Sequence, residues 1–236
     1  MGKEHLLPIT KHSVRMLAGS LVVGAGLGLP QQLAIDRLPR PMAHTPAADK
    51  IAAALAQKDA QFRRDAEDCR AQAKESKADG FDFRVGARRL LETATLYSVE
   101  VVEARYCGGA HPDKNATALT FDSRSGMPYD LNRAFRVGKG HLAEAALPVV
   151  LKHRQDTQRR MKDTGDCGQI ASDQVKSILQ DAEFSLGVTS RYVIFYFDVP
   201  HAVAACFPPV QIPFLELLSF ADRTELQRLG PPLTPE

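Results

Sequence analysis

Four cysteines are the side chains in this sequence best suited to covalent or metal chemistry: Cys69, Cys107, Cys167 and Cys206. No two of them have the CxxC spacing of a zinc knuckle or of a thioredoxin-type redox site. An even number of cysteines predicts disulfides in an exported protein, and four cysteines allow three pairings. We favour Cys69–Cys107 together with Cys167–Cys206. Each pair would close a loop of about 40 residues and contribute about 3–4 kcal/mol in the chain-entropy description.

The segment Tyr-Cys-Gly-Gly-Ala-His-Pro at 106–112 contains the second candidate, a histidine. Gly108 and Gly109 can adopt backbone angles closed to other residues, and Pro112 fixes the direction of the chain after His111. The segment therefore predicts a sharply shaped loop between two strands. Three interpretations are open: a turn with His111 hydrogen-bonded inside the fold, a partner-binding surface, and a metal or catalytic site. The partner-binding surface would comprise Gly108, Gly109, Ala110, His111 and Pro112.

No other pattern in the sequence predicts catalysis. The motifs HExxH, GxSxG and SxxK do not occur in it. Glu100 and Glu103 have opposite parity on one predicted strand, so they should face opposite sides of a sheet. Pro200 lies between Asp198 and His201 and predicts a turn there rather than a catalytic pair. We therefore predict no catalytic residue, no metal site and no cofactor.

The N-terminal residues match a secretory signal. The first fifteen residues contain three basic side chains, and residues 16–30 are mostly apolar and uncharged. A basic start followed by a short apolar run is typical of such signals, whereas a membrane span needs about 20 apolar residues. We predict a signal peptide or N-terminal anchor over residues 1–34, with cleavage favoured, and a Pro-rich linker over residues 35–48. The protein would then be periplasmic, and tethered to the inner membrane if the segment is retained.

The net charge of +2 is concentrated at the N-terminus, because the chain from Met16 onward contains 27 basic and 27 acidic residues. A protein that binds nucleic acid needs a basic surplus to neutralise phosphates, so we predict no nucleic-acid partner. The densest basic stretch, at 152–162, is interrupted by an aspartate. It predicts a solvated helix face, with a patch for anionic glycans or lipid headgroups as the alternative.

Hydrophobic periodicity predicts the elements that position these residues. A first helix at 49–74 carries an apolar stripe of Ile51, Leu55, Phe62, Ala66, Cys69 and Ala73. Two further helices are predicted, one at 141–161 with a break at Pro148 and one at 172–180 with Ser172 as N-cap. Single helical turns are predicted at 131–135 and 214–220. Alternating residues predict strands at 81–91, 95–106, 116–121, 183–186, 191–198 and 210–213.

The order of these elements indicates an α+β fold, because the strands occur in runs and do not alternate strictly with helices. We expect an antiparallel sheet with helices packed mainly on one face, preceded by the long N-terminal helix. The core should come from the strands at Val99–Val102 and Val193–Phe197. Residues 49–225 would form a single domain, and residues 226–236 a flexible tail.

Three segments occur together in a recognisable order. The first is 106–112, the second extends from Leu-Thr-Phe-Asp at 119–122 to Phe135, and the third extends from 192–198 to Val-Gln-Ile-Pro-Phe at 210–214. Together they resemble the RsiV-like extracytoplasmic domain, over about residues 81–220. That family includes the sensor half of a lysozyme-responsive anti-sigma factor and a domain attached to some peptidoglycan deacetylases.

The resemblance implies an α+β domain that is not an enzyme by itself. The sequence has no sigma-binding half before its apolar segment and no deacetylase domain after the resembling region. We therefore expect neither of those two roles to carry over. We expect an exported, non-catalytic domain that binds an envelope partner such as lysozyme or peptidoglycan. The alternatives are a cell-wall-directed hydrolase that uses His111 and a structural accessory protein of an envelope complex.

Overall fold

Two β-sheets meet across a polar interface, and a long helix covers the outer face of the first sheet. The computed structural model describes residues 32–78, 80–109, 112–138, 141–160, 167 and 170–229. The helices are α1 (Pro46–Glu75), α2 (Asn132–Phe135), α3 (Leu147–Arg160), α4 (Ser172–Asp181), α5 (Phe214–Leu217) and α6 (Arg223–Leu229). The strands are β1 (Gln32–Ile35), β2 (Asp82–Glu92), β3 (Leu96–Tyr106), β4 (Asp113–Asp122), β5 (Glu183–Val188), β6 (Tyr192–Asp198) and β7 (Val210–Pro213). The α+β class is confirmed. None of the helices in these ranges has the length and apolarity needed to cross a membrane.

Helix α1 begins where the sequence changes from proline-rich to alanine-rich. The Thr45 hydroxyl accepts a hydrogen bond from the N–H of Ala48 at 3.1 Å. Pro46 lies in the first turn, where its missing N–H removes no helical hydrogen bond. The predicted apolar stripe is confirmed, because its members Ile51, Leu55, Phe62, Ala66, Cys69 and Ala73 are all buried. This stripe holds the helix against the first sheet.

The first sheet has the order β1-β2-β3-β4, with β1 parallel to β2 and the other pairs antiparallel. Tyr97, Val99 and Val101 of β3 are at most 1% exposed and form a buried cluster with the stripe of α1. The predicted alternation of β3 is therefore confirmed on this face. The other face of β3 meets the second sheet.

The predicted Pro-rich linker is a packed part of the fold. Leu38 is 2% exposed, and its N–H donates to the carboxylate of Asp59 in α1. The Tyr97 hydroxyl donates to the Pro39 carbonyl. Proline content indicated an extended chain, but one buried leucine is enough to anchor such a chain. β1 also contains residues 32–34, which the sequence predicts as the end of the signal peptide or N-terminal anchor. Residues 1–31 lie outside the described part of the chain.

The second sheet has the antiparallel order β5-β6-β7. Its buried cluster combines Phe195 and Ile212 of the sheet with Val150 of α3, Leu179 of α4 and Leu217 of α5. This cluster is separate from the one beneath α1. The expectation of one sheet with helices on one face is thus corrected, since the two predicted core strands belong to different sheets.

The two sheets approach closely and are joined by hydrogen bonds. Ser98 of β3 accepts a hydrogen bond from the N–H of Val188 in β5 at 3.3 Å, and the hydroxyls of Thr117 in β4 and Ser185 in β5 share another of 3.0 Å. A Cβ atom at Gly187 would lie 2.8 Å from Leu90 and 3.0 Å from the Cβ of Ala118. Glycine is therefore required where β5 crosses the first sheet, because a side chain there would push the sheets apart.

Two helices begin at positions that differ from the prediction. α3 begins at Leu147, so Pro148 lies in its first turn, and the expected break is the short 3₁₀ turn at 144–146. Proline is tolerated in a first turn for the reason given for α1. α4 is preceded by Ala171 and has no side-chain cap, so Ser172 is its first residue and not its N-cap.

The flexible tail predicted over residues 226–236 is shorter than expected, because residues 226–229 belong to helix α6. Leu226 and Leu229 of α6 are buried, while residues 230–236 lie outside the described ranges. Asp222 accepts hydrogen bonds from the N–H groups of Thr224 and Glu225 at 2.9 and 3.1 Å. This aspartate caps the start of α6, which periodicity alone did not predict in so short a segment.

Low pH should reduce the stability of helix α6. A hydrogen bond from the N–H of Glu225 lowers the pKa of Asp222, and a hydrogen bond from Arg228 lowers the pKa of Glu225. A carboxyl group with a lowered pKa stabilises the fold above its ordinary pKa of about 4 and loses that contribution as the pH falls through the lowered value. We expect faster hydrogen exchange in residues 222–229 at pH 3 than at pH 7, after correction for intrinsic rates. Asp222→Asn should reduce this difference, and equal protection at both pH values would contradict it.

Candidate functional site

The end of the β3–β4 hairpin is fixed to helix α1. The strand register pairs Arg105 with Asp113, and their side chains form an ion pair at 3.2 Å. Cys107, just beyond β3, is joined to Cys69 near the C-terminal end of α1, which confirms one favoured disulfide. The hairpin end is thus held by a covalent bond as well as by strand pairing.

The predicted partner-binding segment is described in part. Gly108 has a φ of 90°, in the left-handed region that favours glycine. Pro112 is exposed at the start of the returning strand. Ala110 and His111 lie outside the described residues, so the role of His111 stays a prediction. The two glycines of the segment differ in their surroundings, because Gly109 has open space where a side chain would stand.

The fit of Gly108 against α1 leads to a prediction with a matched control. A Cβ atom at Gly108 would lie 2.1 Å from the Ser76 hydroxyl oxygen and 3.2 Å from the Ala73 Cα, whereas one at Gly109 would meet nothing within 4 Å. Gly108→Ala should lower the free energy of unfolding by about 1–2 kcal/mol, because the left-handed backbone is strained for alanine. Gly109→Ala should have much less effect. Urea unfolding of both variants measures this, and equal losses would contradict the placement of Gly108.

A cleft of about 470 Å³ opens beside the start of β4 and is here called the hairpin cleft. One wall consists of Arg105 and residues 113–116 of the hairpin. The opposite wall consists of residues 196–199 at the end of β6 together with Ala204, Ala205 and 207–209. The cleft therefore lies between the first sheet and the second.

The far wall of the hairpin cleft is held by the second disulfide and by a buried arginine. Cys206 is joined to Cys167, which confirms the other favoured pairing. Arg154 is 4% exposed, donates to the Cys206 carbonyl at 3.0 Å and lies 4.5 Å from the centre of the Phe207 ring. Burial lowers the pKa of Arg154. The prediction of a solvated helix face at 152–162 is wrong for this residue, because the arginine supports the chain after the disulfide.

Tyr196 connects the hairpin cleft with the interface between the sheets. Its hydroxyl donates to Glu100 at 2.8 Å, and Arg88 forms an ion pair with the other carboxylate oxygen of Glu100. Burial, followed by the charge of Glu100, raises the pKa of Tyr196 well above its usual range. Tyr196 is therefore a protonated hydrogen-bond donor at neutral pH, which suits a structural contact between the sheets.

Glu103 lies on the opposite face of β3 from Glu100, as its parity predicts. Burial raises the pKa of Glu103, and the charges that act on it include Asp65 and Lys58 of α1. The two glutamates thus face different layers of the structure and do not form an acid–base pair. The carboxylate of Glu100 is satisfied by Tyr196, whereas that of Glu103 is partly buried and forms a longer ion pair of 3.5 Å with Arg105.

A second, basic cleft of about 390 Å³ lies at the C-terminal end of α1 and is here called the helix-end cleft. Its described lining residues include Arg70, Lys74 and Lys77 and no carboxylate. The Arg70 guanidinium lies 5.0 Å from the ring centre of Phe81, which also lines the cleft. Lysine and arginine here complement the negative end of the helix dipole, and they leave a positive surface for an anion.

The described residues contain no cluster of metal-binding side chains. No group of three or more His, Cys, Asp or Glu residues within the described ranges could hold a metal ion. All four cysteines are in disulfides.

Comparison with known proteins finds similar structures but no matching sequence family. No protein-family model matches the chain, and no curated protein matches it. The chain is similar to the crystal structure of a DUF3298 family member from Bacteroides fragilis, with 15% identity and a TM-score of 0.44 over 77% of this chain and 71% of that one. It is also similar to a DUF3298 family protein from Pseudomonas aeruginosa PAO1, with 16% identity and a TM-score of 0.40 over 61% of this chain and 63% of that one.

Proposed function

We propose that this protein is an exported, non-catalytic domain that binds lysozyme or peptidoglycan in the cell envelope through the end of its β3–β4 hairpin. The observation that carries the proposal is the position of this hairpin end beside two clefts. Arg105 and Asp113 line the hairpin cleft, and Gly108 approaches Ala73 and Ala78, which line the helix-end cleft. A partner that contacts residues 107–112 would reach one or both clefts.

The disulfides support export. Two cysteine pairs are closed, with sequence separations of 38 and 39 residues. Disulfides that cross-link distant parts of a folded chain form and persist in oxidising compartments such as the bacterial periplasm. We expect cell fractionation to recover the protein in the periplasm with no reactive thiol. Recovery from the cytosol with reduced thiols would contradict export.

The position of β1 limits where a signal peptide can be removed. Cleavage after residue 34 would delete three of the four residues that pair with β2. We therefore expect the N-terminus of a mature periplasmic form to lie at or before Gln32. Intact-mass measurement of the exported protein determines this position.

The two clefts suit different partner chemistry. The hairpin cleft contains acidic and basic side chains, among them Asp113, Lys114 and Asp198, together with backbone groups of a strand. Such a mixture suits a folded or extended protein. The helix-end cleft is positive, so it suits the carboxylates of peptidoglycan stem peptides. Binding of lysozyme would therefore favour the hairpin cleft as the binding site, and binding of peptidoglycan would favour the helix-end cleft.

The proposal is tested by binding of the oxidised protein. We expect retention on immobilised lysozyme or co-sedimentation with purified peptidoglycan sacculi. His111→Ala should weaken this binding. His44→Ala should not, because His44 is an exposed histidine that precedes the N-terminal end of α1, far from the hairpin end. Absence of binding to both partners would contradict the proposal. Release of muropeptides by the wild-type protein, lost in His111→Ala, would instead favour the hydrolase alternative.

A further inference from the structure

Within the described part of the chain, β4 is the last strand of its sheet, so its outer edge has no neighbouring strand there. Its even-numbered residues direct their backbone N–H and C=O groups away from β3, as the contacts along the second half of the strand demonstrate. These contacts join Ala118 to Ser185, Thr120 to Tyr129 and Asp122 to Met127, at distances of 2.8–3.1 Å. The edge from residue 118 to residue 122 is therefore covered by the protein itself.

The first half of the same edge has no such hydrogen-bonded cover among the described residues. The register with β3 continues without a bulge to Asp113, so Lys114 and Ala116 also direct their backbone groups outward. Among the described residues, none forms a backbone hydrogen bond with these groups. Lys114 is exposed and Ala116 is partly exposed. The open part of the edge is also the part that lines the hairpin cleft.

The unpaired backbone groups of a strand edge need hydrogen-bond partners at a regular spacing. It offers alternating donors and acceptors at the spacing of a polypeptide strand, and another extended backbone satisfies all of them at once. A glycan lacks that repeat. The charge of Lys114 opposes pairing between two copies of this edge, as charged edge residues do in other sheets.

We infer that the hairpin cleft binds an extended segment of a partner protein as an additional strand along the open edge of β4. Residues 113–117 would pair with about five residues of the partner, a length of about 17 Å. Lys114 and Ala116 could together form up to about four backbone hydrogen bonds. Val199, Pro208 and Pro209 are partly exposed and give the far wall an apolar part that can contact alternate side chains. This inference names the partner class of the proposed hairpin site and so rests on the proposed function.

The experiment uses proline to remove one edge donor. The N–H of Ala116 points away from β3, so Ala116→Pro deletes it without breaking a hydrogen bond of the sheet. Ala116→Ser is the matched control, since it keeps the N–H and a small side chain. Linear seven-residue peptides are selected from a random library on the wild-type protein, and the affinity of the enriched peptides is measured for all three proteins. We expect binding weaker by about tenfold or more for Ala116→Pro and little change for Ala116→Ser.

Hydrogen exchange locates the bound peptide and checks that the variants are folded. The amides of Lys114 and Ala116 should exchange at least about tenfold more slowly in the wild-type complex, with unchanged protection of the β3–β4 ladder in both variants. The inference is overturned if no enriched peptide distinguishes the two variants. Protection of these amides in the free monomer would overturn it too, because the chain would then cover its own edge. Protection that depends on protein concentration would assign the edge to a second copy.

The same measurements separate this inference from the proposed function. If lysozyme binds the wild type and Ala116→Pro equally, the proposed function stands and strand addition fails. If peptides bind the edge while lysozyme and peptidoglycan do not, strand addition stands and the named envelope partners are wrong.

Discussion

Replacing Cys69 and Cys107 together by alanine should lower the free energy of unfolding by about 2–5 kcal/mol. The disulfide closes a loop with a sequence separation of 38 residues, and its removal returns conformational freedom to the unfolded chain. It also frees the hairpin end from α1. We therefore expect faster hydrogen exchange at residues 106–109, and weaker retention on whichever envelope partner binds. Denaturant unfolding measures the first effect and exchange by mass spectrometry the second.

The other disulfide provides a matched control for this result. Cys167 and Cys206 have a sequence separation of 39 residues, so replacing both by alanine should cost a similar free energy. In that variant, residues 106–109 should keep their protection against hydrogen exchange, and the residues around Phe207 should lose theirs. If both double variants loosened residues 106–109 equally, the local role assigned to Cys69–Cys107 would be wrong.

Glu100→Leu should lower the free energy of unfolding by about 2–3 kcal/mol. The carboxylate accepts the hydrogen bond of the buried Tyr196 hydroxyl, and leucine would leave that donor unsatisfied between the sheets. The ion pair with Arg88 contributes less, because the arginine side chain is 63% exposed and screened by water. Denaturant unfolding at pH 7 measures the loss.

Glu103→Leu is the control, since it removes a carboxylate from the other face of the same strand. Burial raises the pKa of Glu103, so its negative charge opposes folding at neutral pH and favours the fold only when it is protonated. Leucine removes that cost, and we expect no loss of stability or a small gain. A double-mutant cycle adds a second check, because Tyr196→Phe should cost little once Glu100 is leucine. An additive cycle would contradict the bond between Tyr196 and Glu100.

Local patterns in the sequence predicted much of the fold. Helix α1 and strand β3 were predicted to within a few residues, because their apolar positions recur at intervals of about 3.6 and 2 residues and their packing faces follow from that repeat. The pairing of Cys69 with Cys107 was one of three alternatives, and the structure selects it by placing α1 beside the hairpin end.

The features that the sequence does not predict correctly depend on contacts between residues far apart in the chain. Leu38 lies in a segment whose prolines indicate a linker, yet it is buried against α1 and β3. Arg154 lies in a charged stretch, yet it packs on Phe207, which follows it by more than fifty positions. Helix α6 is too short for its periodicity to be distinctive, and contacts of Leu226 and Leu229 with the second cluster decide that it forms.

By itself, the sequence determined the α+β class, the approximate boundaries of α1 and β3 and the presence of a loop between β3 and β4, because these depend on residues close together in the chain. Only the tertiary structure decided that the strands form two sheets and that the hairpin cleft opens between them. The walls of that cleft come from residues 105–116 and 196–209, which no local pattern connects. The cover of the β4 edge at Ala118 was decided in the same way, because the side chain that covers it there is Ser185 of β5.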